Sequence, residues 1–460
     1  MSANDTSGSP DTPSEALRLQ WSNPGDILSL LLLIGGDIVQ KALAQFAGVK
    51  VPLFHRESSL SLTPVAFSFG WVAYTFMSLT SIFGDNQLLP EPDCKLLVVN
   101  CSNAYVRENR SWALGRILRD HEATHEVDKE KGVAMRIDIF DALGVHYRPD
   151  IDYLWVFGWI VILAQQVIAV IPWILYGDWA IFLVTVCGTF GALVTGALPQ
   201  WLEEKWPGRV MRKGKRKIVA LTRGNGHPHV MVIVSDGKGW DLESMATAIG
   251  MSRPGTRIAC VILTAWWTLL LITVSGLEQN TWFLIVIGGL GMLQNIYAAG
   301  ARRKEGAFNV HLKPHDRCPT IIATRPAQSQ ERHDDPDSDE ESAVDETHRE
   351  IRTTGNGGVM GALMKLETEL PRAGASLLTV YFPGGLKYDS ERLVYNNEKR
   401  FWKRAFRQMG LPVPRRSASS DPTTASRSAQ SIKNDHVAAV EKEQEMDAQE
   451  SEEVNPNHQV

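Results

Sequence analysis

The chain has 460 residues, enough for two or three domains or for a helical membrane bundle with soluble parts. Its net charge of -5 gives no support to nucleic-acid binding. The mean hydropathy of -0.13 would suit a soluble protein, but it averages very apolar blocks with very polar ones. Residues 1–25 are polar and read as a disordered N-terminus without a signal-peptide core, so membrane targeting falls to an internal span.

Residues 26–84 read as a first membrane helix pair. "DILSLLLLIGGDIVQKALAQF" from Asp26 has a short apolar run, and Asp37 and Lys41 fall one helical turn apart, where each can neutralise the other. "PVAFSFGWVAYTFMSLTSIF" from Pro64 is uncharged and reads as the returning span. Residues 85–150 form a loop with strands at "LLVVN" from Leu96 and "MRIDIF" from Met135. Between those strands lies a helical stretch, "SWALGRILRDHEATHEV".

Residues 151–200 carry a second helix pair, "LWVFGWIVILAQQVIAVIPWIL" from Leu154 and "WAIFLVTVCGTFGALVTGAL" from Trp179. Residues 201–257 are a basic loop. In it "KIVALTR" and "HVMVIVSD", joined by "GNGHP", predict a β-hairpin, and "DLESMATAIG" predicts a short helix capped by Asp241. Residues 258–300 hold the third pair, "IACVILTAWWTLLLITV" from Ile258 and "WFLIVIGGLGMLQNIYAA" from Trp282. An acidic linker follows over residues 301–350, with Ser338 in "DSDEE" an acid-directed phosphosite.

Residues 351–410 recover a helix near "VMGALMKLETEL" and a strand at "LLTVYF". An amphipathic helix over 391–409 then sets Phe401, Trp402 and Phe406 against Lys399, Arg400, Lys403, Arg404 and Arg407. That pattern suits either an interfacial helix on anionic lipid or a helix packed on the soluble module. Residues 411–460 are a polar, disordered tail. The fold expected is mainly α: a polytopic membrane protein of about six transmembrane helices in three hairpins. The soluble pieces, each too short for its own core, join in a composite α/β cytosolic module.

Charge orients this bundle. Seven Lys or Arg lie between Lys205 and Lys217, and Arg302, Arg303 and Lys304 follow the last span. The turns "YGDW" and "SGLEQNT" carry none. The positive-inside rule then puts the basic loops and both termini in the cytosol. Asn100 and Asn109 head N-glycosylation sequons that would face the cytosol and stay unmodified. The five cysteines show no metal or disulfide spacing and read as reduced thiols.

The motif with most chemical content is His121-Glu122-Ala123-Thr124-His125, which matches H-E-x-x-H. Two imidazoles one turn apart would bind zinc and Glu122 would activate its water. Arg119, Asp120 and Glu126 crowd it with charge, and only His146 or Asp138 offer themselves as a third ligand. A solvated charged helix accounts for the same residues, so the assignment is no catalytic residue, no metal and no cofactor, with Glu122, His121 and His125 as the residues to watch. "TGNGGVMGAL" from Thr354 lacks phosphate-loop spacing and reads as a turn, and Arg223, His227 and His229 surround the hairpin turn. Gln165, Gln166, Gln294 and Asn295 lie within the spans as interhelical glue or as a carrier's polar lining.

Six phrases, "LSLLLLIGGDIVQKALAQ", "PVAFSFGWVAYTFMSL", "NRSWALGRILRD", "TGALPQWLEEKW", "ALTRGNGHPHVMVI" and "SLLTVYFPGG", carry a resemblance spread from Asp26 to about Arg407. Through them the chain resembles a large family of uncharacterised multi-pass membrane proteins of filamentous fungi. The resemblance implies a multi-pass protein without assigned catalytic residues, and an accessory role around secondary-metabolite production. The "HEATH" stretch departs from that family's pattern. The function expected is a non-enzymatic accessory or scaffold, with the lipid bilayer as partner and no nucleic acid. A small-molecule transporter and a membrane zinc metallopeptidase are the alternatives.

Overall fold

A computed structural model describes residues 35–52, 59–85, 87–127, 132–145, 149–248, 253–277, 279–324, 351–352, 357–386 and 393–410. The segments 1–34, 325–350 and 411–460, with His146, Ser338 and Thr354, lie outside the described residues.

Four apolar helices follow one another in two pairs joined by tight turns: α4 (Tyr153–Tyr176) and α5 (Ala180–Gly196), then α8 (Pro254–Ser275) and α9 (Thr281–Gly300). The first two pack on each other. The second two instead splay apart, α8 against α5 and α2 (Trp71–Phe83) and α9 against α4 and α1 (Gly36–Phe46). The two tight turns meet, Asn280 donating to Asp178 at 3.1 Å. Helices α4, α8 and α9 are long and apolar enough to cross a membrane, whereas α5 is shorter. Each is apolar all round. On α4 the residues Ile160, Leu163, Val167, Ile171 and Ile174 form an outward stripe, and Leu293 on α9 is 67% exposed. A helix that shows such a face on the outside of a packed bundle has an apolar solvent as its natural partner.

The first helix pair expected over residues 26–84 takes another form, so six full spans are not present among the described residues. Helix α1 (Gly36–Phe46) is short, and beyond the β1–β2 ribbon (Lys50–Pro52, Ser59–Ser61) residues 62–70 run extended into the bundle. Only from Trp71 does the chain turn helical, as α2 (Trp71–Phe83), which returns to the end it entered from. Pro64 and Gly70 explain the break: proline biases Thr63 away from helix and removes a donor, and Gly70 gives up helix propensity. Asp37 is exposed on the first turn of α1 and forms no ion pair with Lys41, contrary to the neutralisation expected.

The soluble strands form one mixed eight-stranded sheet. It combines β3 (Leu97–Asn100), β4 (Tyr105–Glu108) and β5 (Val133–Ala142) with β6 (Arg216–Thr222) and β7 (His229–Asp236). Strands β8 (Leu312–Pro314), β9 (Thr320–Thr324) and β10 (Ile351–Arg352) complete it. The order is β10-β9-β5-β7-β6-β3-β4, with β8 on the end of β5, and β5–β7 and β9–β10 are the parallel pairs. Strands from the segments before, between and after the two helix pairs are interleaved, so the module is composite as expected.

Alternation sorts the side chains between two faces. Val98, Val219, Leu221, Met231 and Ile233 join α3 (Trp112–Thr124), α7 (Leu242–Thr247) and the bundle in one continuous core. Val99, Ala220, Val230 and Val232 face the opposite way, against α10 (Val359–Glu369), α11 (Ala373–Tyr381) and α12 (Leu393–Met409).

One local expectation is corrected and another is narrowed. "LLTVYF" is helical, as α11, because a short apolar run buried on all sides has no periodicity to tell strand from helix. The amphipathic helix forms over its described residues as α12, and Trp402, Ala405 and Phe406 are buried against α10 and α11, on the sheet face opposite the bundle. Of the two settings that the amphipathic pattern suits, its apolar side takes the one packed on the soluble module. Glu398, also on that side, is buried, and its carboxyl is pushed up by that burial.

Candidate functional site

The chemically loaded part of the chain is the region where the bundle meets the sheet, together with the extended segment that enters the bundle from it. Segment 62–70 would leave peptide groups bare in an apolar interior, and the amides singled out in the sequence satisfy them. Gln165 Nε2 donates to the carbonyls of Phe67 at 2.7 Å and Ile287 at 2.8 Å. Gln294 accepts from the Ala66 N–H at 3.2 Å and donates to Pro64 O at 3.3 Å. Asn295 Nδ2 donates to Ala66 O and to Ser68 Oγ, the latter at 2.8 Å. Gln166 instead bridges α4 to α5 through Thr189 Oγ1 at 2.9 Å, the interhelical role expected of it.

Gln165 lies about 18 Å along α4 from its start, at 1.5 Å per residue, so the segment reaches the middle of the bundle. Close approach there requires glycine. A Cβ at Gly291 would sit 1.8 Å from Phe67 O, and one at Gly158 would sit 2.4 Å from Pro64 O. Trp71 and Trp267 stack at 5.1 Å over the turn. Asn295 Oδ1 and Gln165 Oε1 are buried acceptors without a hydrogen-bond partner among the described residues.

Beneath this lies a seam of buried cations. Lys205, on the short helix α6 (Gln200–Lys205), is 1% exposed and donates to the carbonyls of Ala44, Gln45 and Ala47 at 2.8–3.1 Å. These are the open carbonyls at the end of α1, where the helix dipole places negative charge. Burial, then the neighbouring Arg303 and Arg116, lowers the Lys205 ammonium well below the ordinary lysine range.

Arg303 holds Asp152 through two guanidinium nitrogens at 2.6 and 3.0 Å and donates to Gln45 O. Asp152 in turn caps α4 at the Trp155 N–H. Arg116 reaches Asp93 and the carbonyls of Ala299 and Ala301, Arg119 takes Gly300 O, and Arg302 takes Ala123 O. Cations thus close the C-terminal ends of α1, α3 and α9.

The H-E-x-x-H residues lie at the edge of this seam. His121 is buried and its Nε2 is 2.9 Å from Asp138, which also accepts from Arg136 at 2.9 Å and Thr320 at 2.7 Å. Burial alone would raise the Asp138 carboxyl, but the bonds from His121 and Arg136 hold it well below the carboxylate range.

His125 is the C-cap of α3, with its ring 4.4 Å from that of His121. Glu122 points elsewhere, to Arg223 at 2.7 Å and His227 at 3.6 Å, and its carboxyl is raised by burial despite Arg223. The helical spacing is therefore present, but the carboxylate and the imidazoles serve different partners. Among the described residues no three His, Cys, Asp or Glu side chains are grouped to hold a metal.

Of the hairpin residues, Arg223 and His227 hold Glu122, while buried His229 is pushed down to about 4 by burial and by His121. All five cysteines are unpaired thiols. Lys205, Arg303 and Asp152 are the residues sequence reading missed, because in sequence they look like ordinary loop charges. Asp241, expected to cap α7, makes no cap bond there and instead pairs with Lys217 at 2.8 Å. Comparison with protein-family models, curated proteins and solved structures finds no match to this chain.

Proposed function

We propose that this chain is an integral membrane accessory protein without enzymatic activity, which holds a rigid α/β module against the cytosolic face to organise partners. The observation that carries this is the continuity of one core from the outward-facing apolar helices, through α3, into a sheet assembled from the segments before, between and after the two helix pairs. Such a module cannot hinge freely on its anchor. The basic segments 205–217 and 302–304 lie at the sheet end, and the turns 177–179 and 276–280 contain no Lys or Arg, which supports the cytosolic placement. The fungal-family resemblance and its link to metabolite production agree with an accessory role.

The test is proximity labelling from the full-length chain in its own membrane, with the labelling enzyme placed either at the C-terminus or in the 177–179 turn. A discrete set of soluble partners labelled only from the C-terminus is expected. The same background from both positions would overturn the reading.

A small-molecule carrier is the second reading, favoured by one observation: non-helical backbone at mid-bundle, the setting in which carriers build their sites. Solute exchange in proteoliposomes that Gln165→Leu abolishes in a still-folded protein would favour it.

A further inference from the structure

Apart from the seam, the sheet carries a cleft of about 660 Å³ between the β3–β4 turn, the loop leading into β6, and α7. Six cations and two carboxylates line it, in a chain whose overall charge is -5. The two carboxylates are occupied within the wall. Lys217 bonds Asp241 at 2.8 Å and Glu243 at 2.7 Å, and Arg107 bonds Glu243 at 2.9 Å. Burial would lower the Lys217 ammonium, but these partners raise it, so it stays charged.

The other four cations, Arg209, Arg212, Lys215 and Arg216, are exposed and meet no carboxylate among the described residues. Their backbone is nevertheless fixed. Asp241 N–H donates to Arg209 O at 2.8 Å, Met211 N–H to Gly239 O at 3.0 Å, and Gly237 N–H to Lys215 O at 2.8 Å, while Val210 bridges Trp240.

A positive-inside excess needs only scattered charge. Here the charge converges around a concave site held by main-chain bonds, with Asn100, Ser102 and Ser244 adding neutral hydrogen-bonding groups. Concave walls of one sign focus the field onto a ligand. Three guanidinium forks match phosphate oxygens, and the volume lies in the range of small-ligand sites.

We propose that this cleft binds a ligand carrying two or more phosphate groups. Its walls continue in sequence into α5 and α8, so a phosphorylated lipid headgroup from the adjoining leaflet and a soluble polyphosphorylated molecule present the same chemistry to it. The inference does not depend on the accessory role.

The test uses the full chain in nanodiscs of neutral lipid, titrated calorimetrically with inorganic tripolyphosphate in one arm and dioctanoyl phosphatidylinositol 4-phosphate in the other. Dioctanoyl phosphatidylinositol is the blank for the second arm. Saturable binding in either arm is expected. Binding should weaken about 16-fold when Arg209, Arg212, Lys215 and Arg216 are all changed to Gln, since each solvent-rimmed pair is worth roughly twofold.

Neutralising the exposed basic face of α12 (Lys399→Gln, Arg400→Gln, Lys403→Gln, Arg404→Gln) should leave binding unchanged. Tripolyphosphate binding assigns a soluble ligand; binding of the phosphorylated lipid alone assigns the leaflet. No binding in either arm, or equal loss in the cleft and α12 variants, would overturn the proposal.

Discussion

Changing Gly291 to alanine tests whether the extended segment is truly packed at mid-bundle. The added Cβ would meet Phe67 O at 1.8 Å and Gln165 Nε2 at 2.7 Å, against an ordinary carbon–oxygen contact of about 3.3 Å. The segment must therefore shift by more than an ångström, away from the amide that binds it. Overpacking costs about 1–3 kcal/mol, and the strained Gln165 bond adds roughly 1 kcal/mol. Better helix propensity of alanine returns up to about 1 kcal/mol, leaving a net loss of about 1–3 kcal/mol.

Gly289 is the control, because a Cβ there meets nothing within 4 Å on the same helix. Gly289→Ala should be neutral or slightly stabilising. Melting of detergent-solubilised protein, followed by loss of the monodisperse peak after heating, should put Gly291→Ala roughly 2–5 °C below Gly289→Ala. Equal melting of the two variants would refute the packed segment.

Replacing Gln165 with leucine leaves the Phe67 carbonyl without its donor and should lower stability by about 1–2 kcal/mol in the same melting assay. Acidification should weaken the fold through His229. Its folded value of about 4 lies below an unfolded value of about 6.5, so the unfolded chain binds more protons between them and stability falls as pH drops from 6.5 to 4. The slope contributed by His229 is at most about 1.4 kcal/mol per pH unit, and His229→Gln should flatten a melting-versus-pH series in that window. Expressed in a glycosylating host, the chain should carry no endoglycosidase-sensitive glycan at Asn100 or Asn109 when its peptides are mapped by mass. Asn100 is 7% exposed and its amide donates to Glu243 at 2.8 Å, while the Asn109 amide donates to Ser111 O at 2.7 Å. Trp402→Ala should loosen α12 from the sheet and cost about 3–5 kcal/mol, read as new protease cleavage within 393–409.

What the sequence revealed follows from how local each signal is. The four long apolar helices and the β6–β7 hairpin announce themselves through uninterrupted hydropathy and turn residues, and both are present. Segment 62–70 does not, because an extended stretch shielded by protein and a helix facing lipid have the same apolar composition. The polar signal did exist on the other side of the contact. Gln165, Gln294 and Asn295 were visible, but as donors in search of partners their targets could equally be helices, a solute or the peptide groups that they do bind. Lys205 shows the same limit: in "WLEEKW" it counts towards the positive-inside bias, and only the fold reveals that it caps α1 from within the core.

The seam also bears on why bundle and module belong to one cooperative unit. Helix α1 ends on Lys205 and Arg303, α9 ends on Arg116 and Arg119 from α3, and α4 begins on Asp152, which Arg303 holds. Apart from the Asp152 cap, each of these bonds joins a bundle helix terminus to a residue fixed by another element. Separating the sheet from the bundle would strip partners from buried cations and helix ends together, and a single buried charge left without its partner already costs several kcal/mol. Helix α3 is central to that union. Its cations close the bundle, while His121 and Glu122 on its next turn reach Asp138 of the sheet and Arg223 beyond the hairpin strand. The sequence that matches a zinc-peptidase motif thus supplies hydrogen bonds on two sides of the same joint.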